Sequence, residues 1–119
     1  MWHIEAKLQQ ELKEAGKQLF YPAHIDESID ELLLLLDQIQ KLLSEVDESP
    51  GESMLEALEP SRKGLIQSSL LKHSDIDVKV SVAACLSEIT RITAPGVPYS
   101  DDQMRDIFQV IVSSFQDPN

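Results

Sequence analysis

The sequence predicts an all-α fold of five to six antiparallel helices, and three observations carry that expectation. Hydrophobic residues fill 42% of the 119 positions but aromatic ones only 5%, so the apolar material is Leu, Ile, Val and Ala, which suits helix-on-helix packing better than stacked sheets. Apolar residues recur at steps of three and four along most of the chain. The 4 Gly and 6 Pro fall mostly between those periodic segments, where they act as punctuation rather than as the spacing of a turn-rich β fold. The length suits one domain over residues 1–119, with N-terminal helices in 1–48 and further helices in 49–119.

The first helix is expected from Trp2 to about Leu19, because Ile4, Leu8, Leu12, Ala15 and Leu19 line one side with charges elsewhere. Pro22 interrupts it. Ser28 with Glu31 three positions later has capping-box spacing, so a second helix starts near Asp26 to Ser28. Its stripe of Ile29, Leu32, Leu33, Leu36, Ile39, Leu42, Leu43 and Val46 is broad enough to need cover on more than one side. Ser49, Pro50 and Glu52 repeat the start signal for a short helix to about Leu58. Pro60 is expected to divide that helix from another over Ser61 to Leu71.

Ser74 or Asp75 can cap the next helix, which carries Ile76, Val78, Val80, Val82, Ala83, Leu86, Ile89 and Ile92. The short valine alternation there also fits a buried strand. The alanines, Leu86 and the length of the segment favour helix. Pro95, Gly96 and Pro98 make Thr93 to Tyr99 an ordered connector. Ser100 and Gln103 form a further capping box before Met104, Ile107, Phe108, Ile111, Val112 and Phe115, an apolar face on the last helix.

The net charge of −11 is uneven, with 4 Lys/Arg against 14 Asp/Glu in residues 1–59 and 6 against 7 in residues 60–119. Such a surface repels phosphate backbones, so no direct nucleic-acid contact is expected; a basic partner would be attracted, and a plain solvated helix face has the same composition. Cys85 is the single cysteine, which excludes an internal disulfide and fits a reducing, intracellular setting. The N-terminal sixteen residues read as neither secretory signal nor membrane span, and the leucines from Leu32 to Leu36 are too few to span. No lysine-rich import signal is present.

Catalytic chemistry finds no foothold. His3, His24 and His73 are scattered, so no metal site is expected. Gly51, Gly64 and Gly96 are isolated and form no phosphate cradle, and no serine sits in a nucleophile elbow. The expectation is a protein without enzymatic activity or cofactor that acts by surface recognition. Repeated capped helices and short Pro-containing turns are ingredients of an α-solenoid, which exposes grooves for extended peptides, although a closed helical bundle shares them.

Residues 74–92, SDIDVKVSVAACLSEITRI, resemble the second helix of a HEAT repeat, with Asp77, Val78, Lys79, Ala83, Leu86 and Ile89 in the characteristic places. The longer stretch from Leu70 to Phe115, together with SPGESMLEAL and KGLIQSSLLKH upstream, is similar to the N-terminal region of plant members of the cohesin-regulating "precocious dissociation of sisters" family. The resemblance implies a HEAT-like α-solenoid fragment over residues 49–119. It also implies a nuclear protein that associates with the cohesin ring through its kleisin subunit and helps control sister-chromatid cohesion. In that family the connector corresponding to Ala94, Pro95, Gly96, Val97, Pro98 and Tyr99 usually reads Ala-Pro-Asp-Ala-Pro-Tyr. There it helps to dock a short Tyr-Ser-Arg-type motif of partners such as the wings-apart-like release factor. This chain departs at Gly96 and Val97, and the lost acidic side chain removes a counter-charge for a partner arginine. A chain that kept the fold but lost the cohesin contacts, as a decoy or fusion partner, is the alternative. The last helix is expected either to pair with a second copy, giving a homodimer, or to fold back on the helix before it.

Overall fold

The computed structural model describes residues 2–20, 29–48 and 50–114. Among the described residues there are six helices in order: α1 (Trp2–Gln18), α2 (Ile29–Ser44), α3 (Glu52–Leu65), α4 (Ser68–Leu71), α5 (Ile76–Thr93) and α6 (Asp101–Ser114). No strand occurs among the described residues, and the architecture is that of a HEAT-like helical fragment. The expectations for Pro22, His24, Asp26, Ser28, Ser49 and Phe115, and for the side chains of His3 and Ile4, lie outside the described residues.

The core is aliphatic and continuous. α1 packs mainly on α3, α2 on α5, and α5 on α6, while α1 also touches α2. Leu12, Ala15 and Leu19 of the first stripe are buried, as are Leu32, Leu36, Ile39 and Leu43 of the second. Leu65, Val82, Leu86 and Ile89 are buried as their spacing requires, whereas Lys7, Glu14, Glu45 and Glu56 are exposed. Fully burying a side chain of this size stabilises by about 1.5–3 kcal/mol, so the shared core dominates the fold. The valine alternation resolves as helix: Val78 and Val82, four apart, are buried, and Val80 between them is 47% exposed.

Two boundaries differ from expectation. Pro60 lies inside α3 and does not divide it. A proline in a helix interior costs about 3 kcal/mol by removing one hydrogen bond and crowding the carbonyl four residues back. Here the residues on both sides of it, Ala57, Leu58, Ser61, Gly64 and Leu65, are all buried, and their packing outweighs that cost. The break comes instead at Gln67, whose backbone is extended and whose side-chain Nε2 donates to the carbonyls of Leu19 and Gly64 at 2.8 and 2.9 Å. This amide caps the Leu19 carbonyl beyond the end of α1 and adds a further bond to the Gly64 carbonyl, which also accepts from the Gln67 backbone amide at 3.3 Å.

The second difference is at the start of α3, where Gly51 holds the N-cap position with no side-chain cap, so Pro50 stands outside the helix. Two caps among the described residues match their signals. Asp75 accepts from the amides of Asp77 and Val78 at 2.9 and 3.1 Å. Ser100 and Gln103 exchange both bonds of a capping box at 2.9 and 3.2 Å.

α1 and α3 cross on small residues. A Cβ added at Gly16 would meet the Ser61 amide nitrogen at 2.5 Å, and one at Gly64 would meet Leu19 Cβ at 2.9 Å. Both glycines are therefore required by contact distance rather than by an unusual backbone angle.

Candidate functional site

The connector between α5 and α6 begins where proline forbids another helical turn. Ala94 precedes Pro95 and adopts an extended ψ of 145°, as a residue before proline tends to. Its amide still donates to the Thr90 carbonyl at 3.0 Å, and the Gly96 amide donates to Thr93 at 2.9 Å. The Ala94–Pro95 bond is cis. Ala94, Pro95, Gly96 and Val97 are exposed, with Val97 at 72%, and Pro98 is half-buried. Tyr99 differs from the other five, because it is only 5% exposed.

The far end of the connector is tied down by Arg62 of α3. The guanidinium Nη1 donates to the Pro98 carbonyl at 2.8 Å, and the Tyr99 hydroxyl donates to the Arg62 carbonyl at 2.9 Å. The Arg62 guanidinium carbon lies 5.7 Å from the Tyr99 ring centroid, in range for a cation–π contact. Glu59, one turn earlier, holds the other face of the same guanidinium with bonds of 2.9 and 3.0 Å, the fork geometry that makes arginine unlike lysine. The hydrogen bond from Arg62 holds the Glu59 carboxyl below its ordinary range, and Glu59 in turn raises Arg62. Burial pushes the Tyr99 phenol well above its ordinary value, against the smaller opposing effect of Arg62.

Beneath the exposed residues is an open depression of about 350 Å³, in which Pro50, Leu55 and Thr93 join the connector. Leu55 is 39% exposed, so the floor offers apolar contact. Sequence reading found the connector but missed Arg62, Glu59, Pro50 and Leu55. The spacing of Glu59 and Arg62 marks an ion pair within one helix. Nothing in it signals the reach to Pro98, 36 positions away.

A family model described as "Sister chromatid cohesion protein PDS5 protein" matches residues 30–119, most of the chain and all of this site. The chain belongs to the PDS5 family. It is 54% identical over 113 residues to sister chromatid cohesion protein PDS5 homolog C of Arabidopsis thaliana, a match covering 95% of this chain and 13% of that protein. It is 47% identical over 110 residues to Arabidopsis homolog A, covering 92% of this chain and 7% of the relative. With the PDS5 protein of Saccharomyces cerevisiae the identity is 37% over 89 residues, covering 75% and 7%. The chain thus spans 13% or less of the length of these relatives. No solved structure matches it.

In this PDS5-family chain the six expected site residues form one continuous turn whose sides differ in role. Ala94 to Val97 face solvent, while Pro98 and Tyr99 anchor the turn to α3. Gly96 is closely fitted: a Cβ there would lie 3.0 Å from the Thr93 carbonyl oxygen, so an aspartate needs that carbonyl to yield by a few tenths of an ångström. Among the described residues no three His, Cys, Asp or Glu side chains gather to hold a metal ion, and no helix is long and apolar enough to cross a membrane.

Proposed function

We propose that this chain is a non-catalytic protein–protein interaction module of a nuclear regulator of sister-chromatid cohesion, with the Ala94–Tyr99 connector as its peptide-docking edge. The observation that carries the reading is the connector's geometry: four exposed residues over an apolar depression, with the ends of the turn fixed by Thr90, Arg62 and Tyr99. A loop already ordered loses little freedom on binding, which favours recognition of a short segment. Family membership and the names of the relatives support the cohesion setting. The partners in this reading are the cohesin kleisin subunit and the wings-apart-like release factor, or proteins with similar short motifs. It involves no nucleic acid, membrane or cofactor.

The test is titration of the folded chain with a Tyr-Ser-Arg peptide, read by fluorescence anisotropy. Saturable binding is expected, strengthened by Gly96→Asp through the restored counter-charge. Tyr99→Ala is expected to weaken it by roughly 1–2 kcal/mol, provided that circular dichroism shows the variant still folded. The departures at Gly96 and Val97 favour a second reading, a relative that kept the fold and lost the contact. Failure of both the parent chain and Gly96→Asp to bind would decide for that second reading.

A further inference from the structure

Residues 60–119 contain six cationic side chains, of which four are already engaged. Arg62 and Lys63 pair with Glu59, Arg91 with Glu88, and Arg105 with Asp102. Lys72 and Lys79 make no ion pair among the described residues, and both line the same cleft where α4, α5 and α6 meet. The cleft measures about 190 Å³. That volume suits one side chain and is far too small for a helix. Ser68, Gln109 and Ser113 add neutral hydrogen-bond donors, and Asp106 is the one acidic residue in the lining. Two ammonium groups against one carboxylate leave the lining at +1. Ile66, Leu71 and Val110 supply apolar wall.

We infer that this cleft is a second recognition site, one that receives the carboxylate of a glutamate or aspartate from an acidic partner peptide. A lining of +1 matches a single carboxylate and leaves a dianion half-compensated. The apolar wall suits the methylene stem of glutamate, and the hydroxyls and amide can complete the carboxylate's hydrogen bonds. The overall charge of −11 does not forbid this, because at physiological salt charges beyond about 8 Å are largely screened. Local charges decide, and most of the excess acid lies in residues 1–59. The connector plays no part in this site.

The experiment titrates the full chain with fluorescent hexaglutamate, hexaglutamine and phosphoserine peptides at low and physiological ionic strength. Saturable binding of hexaglutamate, weaker at higher salt and not seen with hexaglutamine, is expected. Lys72→Gln and Lys79→Gln should each weaken it about threefold to fivefold, the range of a single partly exposed ion pair. Asp106→Asn should tighten it, while Lys17→Gln on α1 leaves it unchanged. Circular dichroism of each variant keeps loss of binding separate from loss of fold. Equal losses in Lys17→Gln and Lys72→Gln would mean diffuse attraction and overturn the site. So would absence of saturation, and binding of the phosphoserine peptide alone would overturn the carboxylate assignment.

Discussion

Cys85 and Tyr99 are buried acids whose protons the fold retains. Cys85 is fully buried, its Sγ lies 3.4 Å from the Leu36 carbonyl, and burial pushes the thiol from 9.0 up to about 12. Tyr99 is displaced in the same direction by burial. Above pH 9 the unfolded chain releases protons that the folded chain keeps, so unfolding becomes easier as pH rises. The stability present below pH 9 should fall steadily toward pH 12, with each group contributing up to about 1.4 kcal/mol per pH unit. Urea unfolding across that range measures it. Cys85→Ala should flatten the slope, and an unchanged slope would remove the thiol from the account.

The Tyr99 hydroxyl offers a second test at the same scale. Tyr99→Phe deletes one bond to the Arg62 carbonyl and should cost about 1 kcal/mol, whereas truncation to alanine should cost about 3–5 kcal/mol by emptying the buried ring's space. Chemical denaturation separates the two. A loss in Tyr99→Ala no larger than in Tyr99→Phe would show that the ring packs little.

Among the elements, the crossing of α1 and α3 has the least tolerance. Gly16→Ala and Gly64→Ala bring a new methyl within 2.5–2.9 Å of existing atoms and should destabilise by about 1–3 kcal/mol through overpacking. Gly51→Ala, with nothing within 4 Å, is the control and should change little. Ser61 is fully buried in the same crossing, and its hydroxyl has no hydrogen-bond partner. Ser61→Ala should therefore be neutral or stabilising. Thermal melts of the four variants give the comparison, and similar melting for Gly16→Ala and Gly51→Ala would contradict the close approach. Helix existence was legible from apolar spacing at this scale, and caps were legible where Asp75 or Ser100 carried the signal. Pro60 was misleading because its local cost is set against burial that involves α1, more than forty positions earlier in the chain. Gly16 and Gly64 were unreadable for a related reason, since closeness of two helices leaves no periodic trace.

For the whole molecule, the open question of assembly rests on α6. Ile107 and Val110 are buried, so the helix does fold back on its neighbours, yet Phe108 remains 67% and Val112 41% exposed. Beside them Met104 and Ile111 line a shallow apolar recess with Ser87 and Thr90. Exposed apolar stripes of this kind mark association sites, and the homodimer expected from the sequence is tested at this face. Sedimentation over a hundredfold concentration range should show a rise in mass that Phe108→Ser abolishes. A constant monomer mass would end that idea. The sequence disclosed the stripe but misplaced its seam, because Val110 and not Phe108 turns inward. The connector was likewise found as a segment, while its attachment to α3 depended on an arginine far away in the chain.

That attachment has a twin. Arg91 pairs with Glu88 three positions earlier and sends Nη2 to the carbonyls of Leu43 and Val46, closing the end of α2. Arg62 does the same with Glu59 and the Pro98 carbonyl. Each guanidinium is braced on its own helix and hooked onto a strand of backbone where another helix ends or is about to begin. In mechanical terms these are two tie-rods. One joins α3 to the backbone just before α6, and the other joins α5 to the end of α2. Each adds a polar tie between segments beside the apolar core, so truncating either arginine would leave its backbone carbonyls without that partner.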